Sequence, residues 1–278
     1  MKKIYYPRLS KIDLGSVRIG GPGLANCMFF ASMAYADSKR YDGIFICPSW
    51  MKFSIGPYIR KERDKRVYSH LFTKSGKSGI IKIFYLLIAK LFGAINVYGP
   101  YDMAGYFTRL NECHQLVKEY FKSIEKPYIL SKLKKESFYS DKIAIHVRLG
   151  DYPEDFRVPI SWYCECIDSL KKLKPDQEFL VFSDGSDEEL SDILVRENVK
   201  RVFYGNAYAD MKAISMCKIL LASDSTFSAW GAFLGDVPII FAKRHFPSVY
   251  NGRVKEYIIS QSNLKSFFDN NGRDLLNL

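Results

Sequence analysis

The sequence predicts an α/β protein with largely parallel sheets, and three observations carry that expectation. In the second half of the chain, short apolar runs alternate regularly with stretches of helical period. One of these runs, Ile143-Ala144-Ile145-His146-Val147, stops abruptly in Arg148-Leu149-Gly150-Asp151-Tyr152, so polar groups gather at a strand's carboxyl end, where open α/β sheets bind ligands. Near the amino terminus, a Gly-Gly-Pro-Gly turn at 20–23 separates another apolar run from a helical stretch.

Taken in order, Ser16 to Ile19 reads as a short strand, 20–23 as a tight loop, Leu24 to Ser38 as a helix and Gly43 to Cys47 as the next strand, together a βαβ unit with its glycine turn at the ligand edge. Gly79 to Tyr98 is strongly apolar but contains Lys82 and Lys90, which argues against a spanning helix of about 20 apolar residues. A buried core helix is expected there. The two lysines, eight residues apart, are near enough to share a face, which leaves room for a peripheral contact with a membrane surface. Pro127 and the Lys-rich run within Ser123 to Asp141 mark a domain boundary, giving units 1–135 and 136–278. After it, strands are expected at Lys142 to Val147, Glu178 to Phe182, Lys200 to Tyr204, Ile219 to Ala222 and Val237 to Phe241. Helices are expected at Ser161 to Leu173, Asp187 to Glu197, Tyr208 to Cys217 and Thr226 to Leu234. Two α/β units with a cleft between them is the simplest architecture.

Composition bounds the function. With 278 residues, 47% apolar and 26% charged, the chain is globular rather than disordered. A formal net charge of +11 favours an anionic partner: nucleic acid, anionic lipid or a phosphorylated small molecule. The basic clusters at 60–66, 132–135 and 171–174 are short, read as solvated helix faces, and no nucleic-acid recognition motif accompanies them. Six cysteines without a Cys-x-x-Cys pair, and only four histidines, offer no zinc-type spacing, so reduced and mostly buried thiols are expected. The amino terminus lacks the apolar segment of a secretory signal, which makes a cytoplasmic address the default expectation.

Arg148 supplies a planar, permanently charged fork suited to phosphate oxygens, and Gly150 lets backbone turn close to a ligand. In Ser223-Asp224-Ser225-Thr226, Ser225 and Thr226 precede the helix Phe227 to Leu234, whose free N–H groups and dipole favour a phosphate, although an ordinary Ser or Thr cap accounts for the same residues. Phe227 and Trp230 have the spacing of core aromatics. No Asp-x-Asp pair is present to hold a metal.

His146-Val147-Arg148-Leu149-Gly150-Asp151-Tyr152 resembles the His-x-Arg-x-Gly-Asp-Tyr signature of α-1,2-fucosyltransferases, which usually carry a second Arg where this chain has Leu149. The stretch from Asp210 to Lys218, followed by 221–232, is similar to the block in that family where a Met-Ser-x-Cys-Lys helix leads to Ser-Phe-Ser-Trp-Trp-Gly-Ala, with Ile214 interrupting the spelling and Ala229 replacing one Trp. Gly23-Leu24-Ala25-Asn26-Cys27-Met28-Phe29 resembles the family's opening Gly-Leu-Gly-Asn-Gln-Met-Phe, with Ala25 for Gly and Cys27 for Gln. The likeness is patchy between Asp37 and Asp141.

The resemblance implies a GT-B-like fold of two Rossmann-like lobes, an acceptor-side lobe first and a nucleotide-sugar lobe second. It implies an inverting, metal-independent transfer of fucose from GDP-fucose to a glycan hydroxyl, in α-1,2 linkage, for surface-polysaccharide biosynthesis such as O-antigen. The donor would be held by Arg148 at the β-phosphate, His146 beside it, Asp184 toward the nucleoside, and Ser223, Asp224, Ser225 and Thr226. Catalysis would rest on Arg148, His146, Asn26 and Asp151, the last as candidate base or as a pin for Arg148. No cofactor and no nucleic-acid partner are expected. The departures at Leu149 and Ala229 leave two alternatives: a different nucleotide sugar, or a homologue that binds without turnover.

Overall fold

The computed structural model describes residues 2–59, 65, 67–99, 105–150 and 152–277. The chain divides into two compact units, Met1–Ser131 and Lys132–Leu278, so the division falls inside the Lys-rich segment at 123–141.

The first unit runs β1 (Ile4–Pro7), β2 (Ile12–Asp13), β3 (Val17–Ile19), α1 (Leu24–Arg40), β4 (Ile44–Phe45), β5 (Met51–Phe53), α2 (Gly56–Ile59), α3 (Gly79–Leu91), β6 (Ile95–Tyr98), α4 (Tyr106–Asn111) and α5 (His114–Ile124). One parallel sheet has the order β4-β1-β6, and a second, small sheet the order β2-β3-β5. This corrects the βαβ unit expected over 16–47, because β3 and β4 lie in different sheets. The strand that α1 links to β4 is β1, with Ile4 opposite Ile44. The physical reason is composition. The Ile-Tyr-Tyr-Pro of β1 is buried along its whole length, whereas β3 carries Arg18 at its centre. Arg18 and Lys52 turn inward instead and donate to the carbonyls of Gly20 (2.6 Å) and Gly21 (3.1 Å), holding the glycine turn from beneath. Gly21 has φ +96°, and a Cβ there would lie 2.2 Å from the Leu9 carbonyl oxygen, so only glycine fits.

The apolar segment after Gly79 also departs from expectation. It is a 13-residue helix, α3, not a core helix: Lys82 and Ala89 are its buried residues, while Ile80, Phe84, Leu87 and Leu91 face outward. The two lysines do not share a face, since Lys82 is buried and Lys90 exposed. Lys82 goes inside because a complete polar network receives it. Its Nζ lies 2.8 Å from Asp13 Oδ2 and donates to Ser49 Oγ (2.7 Å) and the Cys47 carbonyl (3.1 Å). Asp13 also accepts from Tyr6 Oη (2.7 Å), Ser49 Oγ (2.6 Å) and the Gly15 amide (2.9 Å). Burial alone would raise the Asp13 carboxyl, but the ammonium and these donors overcome it and hold it below the usual carboxylate range.

The second unit contains β7 (Ile143–Val147), α6 (Ile160–Leu173), β8 (Phe179–Ser183), α7 (Ser191–Leu194), β9 (Val199–Arg201), α8 (Ala207–Ile214), β10 (Ile219–Ala222), α9 (Thr226–Gly235), β11 (Ile239–Phe241), β12 (Glu256–Ile258) and α10 (Leu264–Leu276). Its sheet is parallel throughout, in the order β12-β11-β10-β7-β8-β9. Because both faces are covered by helices, β7 is buried along its whole length. The helix expected at 187–197 shortens to α7. Ser186 and Glu189 exchange side-chain-to-amide bonds that close a turn first (Ser186 amide to Glu189 Oε2, 2.8 Å; Glu189 amide to Ser186 Oγ, 3.1 Å). The Cα register and burial continue into β12 and α10, neither of which the sequence pattern announced.

The inverted helix makes a testable contrast. Lys82→Ala leaves the Asp13 carboxylate buried without its cation and is expected to lower stability by about 3–5 kcal/mol, whereas Ile80→Ala on the outward face should change it by less than about 0.5 kcal/mol. Urea unfolding of the two variants checks this; equal losses would contradict the inward placement of Lys82.

Candidate functional site

Strand order locates the site. From β7 the chain steps outward through β8 and β9, then returns to the other side of β7 with β10, β11 and β12. The connections therefore diverge between β7 and β10, the topological switch point at whose carboxyl edge such sheets bind ligands. Ala222 of β10 is in register with His146 of β7, so the chain exits at 147–150 and 223–226 lie side by side.

On the other side of β7, Val147 pairs with Ser183, which sets the residues just beyond the strand ends, Arg148 and Asp184, against each other. The Arg148 guanidinium donates through Nη1 to Asp184 Oδ2, and the other carboxylate oxygen, Oδ1, accepts from the Leu149 amide (2.9 Å). Both groups remain partly exposed. Gly150 is explained by the same carboxylate: a Cβ at 150 would sit 2.4 Å from Asp184 Oδ2. The close approach that this glycine allows is thus to Asp184. Arg157 secures the turn from outside, its Nε donating to the Tyr152 carbonyl (3.0 Å) and Nη2 to the Gly150 carbonyl (3.4 Å). Leu149 points into the apolar core of this unit, packed where a Cβ on Gly185 would meet its Cδ1 at 2.5 Å.

His146 is buried and links three elements. Its Nδ1 lies 2.8 Å from Ser223 Oγ and 2.6 Å from Ser228 Oγ, the two hydroxyls are 3.0 Å apart, and its ring stacks on Phe227 at 4.7 Å. Tyr163 Oη donates to its carbonyl (3.2 Å). Burial, with Arg148 adding repulsion, lowers its pKa from 6.5 to about 3, so the ring is neutral at pH 7.

The exit after β10 uses its side chains internally. Ser225 caps α9, its Oγ accepting from the Phe227 amide (3.2 Å), which is the ordinary cap role. Asp224 is buried; its Oδ1 accepts from the amide (3.0 Å) and Nδ1 (2.7 Å) of His245, and its carbonyl accepts from Tyr152 Oη (2.7 Å). Thr226 opens α9 and is half-buried. Trp230 is fully buried, as its spacing predicts, and Ala229 is buried beside it. Gly231 and Gly235 let α9 lie directly on α8, since a Cβ at either would meet Ile214 Cγ2 at 2.7 Å or the Ser215 carbonyl oxygen at 1.7 Å. Ile214, which breaks the motif spelling, is the residue that fills this contact.

The second unit thus brings together His146, Arg148, Asp184, Ser223, Asp224, Ser225 and Thr226. Asn26 belongs to the first unit, in the first turn of α1. Asp151 lies outside the described residues. Sequence pattern did not single out Ser228, Arg157 or His245. Ser228 carries a recognisable signal, a small hydroxyl in the first turn of a helix that starts beside the site; His245 has none. All six cysteines are free, five of them buried. Among the described residues, no group of three His, Cys, Asp or Glu side chains could hold a metal ion.

The buried histidine predicts a pH dependence. The unfolded chain takes up the His146 proton near pH 6.5, while the folded chain resists until about pH 3, so unfolding binds a proton and stability falls as pH drops through this window. Between pH 6.5 and 5 the wild type should lose stability relative to His146→Gln at a slope approaching about 1.4 kcal/mol per pH unit. Parallel urea-unfolding curves for the two proteins across that range would contradict the neutral, buried ring.

Known proteins resemble this chain in family and in fold. Residues 87–247 match the model of glycosyl transferase family 11, a span that includes β7, β10 and the exits beyond them but not the glycine turn at 20–23. No curated protein matches the chain. Among solved structures, fucosyltransferase NodZ from Bradyrhizobium is similar with a TM-score of 0.54 at 15% identity, covering 87% of this chain and 96% of that one. A NodZ alpha-1,6-fucosyltransferase structure soaked with GDP-fucose aligns at a TM-score of 0.52 and 15% identity over 86% and 94% of the two chains. At such identities the likeness shows the fold, a GT-B-like α/β architecture. The family match spans more than half of the sequence, and the chain belongs to glycosyl transferase family 11.

Proposed function

We propose that this chain transfers fucose from GDP-fucose to a hydroxyl of a glycan acceptor, with inversion and in α-1,2 linkage, in surface-polysaccharide biosynthesis. The observation that carries the proposal is Arg148, a guanidinium held at the switch point on a chain exit that runs alongside the exit leading into α9. In this reaction the acceptor oxygen attacks the anomeric carbon, the bond from that carbon to the β-phosphate oxygen breaks, and GDP departs with the electron pair. The departing diphosphate needs cations and N–H donors fixed in advance. Arg148 and the first turn of α9 at Thr226 fill that role. The family match and the NodZ structures soaked with GDP-fucose or co-crystallised with GDP support this choice of donor.

The other residues take graded parts. Engagement of both Asp184 oxygens favours a positioning role, aiming Arg148 and closing the turn over which the nucleoside would lie. His146, neutral and buried, suits the floor of the donor site rather than proton transfer, with Ser223 and Ser228 fixing its ring. Asp224 and Ser225 shape the β10 exit. The acceptor proton then falls to a carboxylate, and Asp151 is our assignment for it. The first unit, through Asn26, would serve the acceptor side and the second unit the donor.

Turnover is read as GDP release from GDP-fucose across a panel of glycan acceptors. Arg148→Ala should reduce it by about 10²–10³-fold, and Arg148→Lys should restore little, because an ammonium cannot reproduce the fork. Near-normal turnover in Arg148→Lys would overturn the assigned role. Donor binding without GDP release for any glycan would replace transfer by a binding function. Chelation by EDTA should leave turnover unchanged, and strict dependence on Mn²⁺ or Mg²⁺ would contradict a leaving group neutralised by side chains alone.

A further inference from the structure

The first unit carries a surface built inside out. In α3, Lys82 is 0% exposed while Ile80 is 85% and Leu91 82% exposed, and Phe84 and Leu87 complete the same outward stripe at helical spacing. The small sheet repeats the inversion. Arg18 and Lys52, paired in register, are buried on its inner face, while Ile12, Ile19 and Phe53, also cross-strand neighbours, are exposed on the outer face. The two elements adjoin: a Cβ on Gly15, in the β2–β3 turn, would lie 3.1 Å from Ile83 of α3. Single exposed apolar residues are ordinary, but a continuous patch over a helix and a sheet marks an interaction surface.

Charge identifies the occupant. Residues 1–99 hold 17 Lys and Arg against five Asp and Glu, a formal +12, so the whole excess positive charge of the chain lies there and residues 100–278 are near neutral. Lys77 and Lys90 flank the two ends of α3 and are exposed. A second copy of the chain would bring like charges together on this face. An anionic surface gains from both features.

We propose that the outward faces of α3 and of the β2-β3-β5 sheet dock on an anionic lipid surface, with the apolar side chains in the headgroup–acyl boundary and the lysines on the headgroups. The helix lies in the surface rather than crossing it: no described helix is long and apolar enough to span. The inward cations leave an apolar outward stripe flanked by Lys77 and Lys90, and the Lys82–Asp13 pair anchors the helix at the required rotation.

The test uses the full chain and no nucleotide sugar, so its outcome is independent of the transfer reaction. Cosedimentation is measured with vesicles of phosphatidylcholine alone and of phosphatidylcholine with phosphatidylglycerol. The wild type should bind the anionic vesicles preferentially and lose affinity in high salt. Ile80→Asn/Leu87→Asn should weaken binding by roughly tenfold or more, and Lys77→Glu/Lys90→Glu should remove the preference for anionic lipid. Both are outward positions, so the thermal unfolding of both variants should match the wild type, which separates lost docking from lost folding. Absence of wild-type binding to anionic vesicles would overturn the proposal. So would unchanged binding by Ile80→Asn/Leu87→Asn, or a dimer in sedimentation velocity that this variant disperses.

Discussion

The structure of the site depends on one carboxylate. Asp184 sits where parallel pairing of β7 with β8 must place it, one residue past Ser183 and opposite Arg148. One of its oxygens orients the guanidinium and the other takes the Leu149 amide, so a single side chain fixes both the cation and the backbone that carries it. The space it occupies exists because position 150 has no Cβ. Arg148 has a long side chain with much rotamer freedom, and a fork aimed in advance loses less entropy when a diphosphate arrives.

A second set of contacts makes this corner rigid. His146 joins β7 to the β10 exit and to α9 through two serine hydroxyls, and burial keeps its ring uncharged beside Arg148. Asp224 ties the same exit to Tyr152 on one side and His245 on the other. The glycines of α9 press that helix onto α8, so the α9 N-terminus is set by packing. Three loops beyond three different strands are thereby held in one arrangement by side chains whose partners are mostly buried.

Much of this was legible in the sequence where one strand and its exit carry the signal. The burst of His, Arg, Gly and Asp after an apolar run pointed to a candidate site at the end of β7, and the alternating pattern pointed to the parallel sheet that is observed. Partners distant in sequence were not legible. Asp184 is 36 residues from Arg148, and nothing at Gly150 says that a carboxylate, and not a ligand, fills the space beside it. Periodicity likewise reveals an apolar stripe on α3 without saying which way it faces. Asp13 and Ser49, remote along the chain, decide that by receiving Lys82. The strand β12 escaped notice because its Glu-Tyr-Ile is a short edge strand, only partly buried. The departures from family spelling are local packing: Leu149 and Ala229 are both buried in the core of the second unit, and Ile214 fits against Gly231.

The physics of the candidate site centres on a prearranged cation at a topological switch point. The most direct measurement is the calorimetric affinity for GDP of Gly150→Ala and Asp184→Asn, variants that keep Arg148 but disturb what aims it. If the carboxylate frame directs the guanidinium, both should weaken GDP binding by about tenfold or more, in line with loss of a charge-assisted contact. GDP affinities equal to the wild type in both variants would contradict the account.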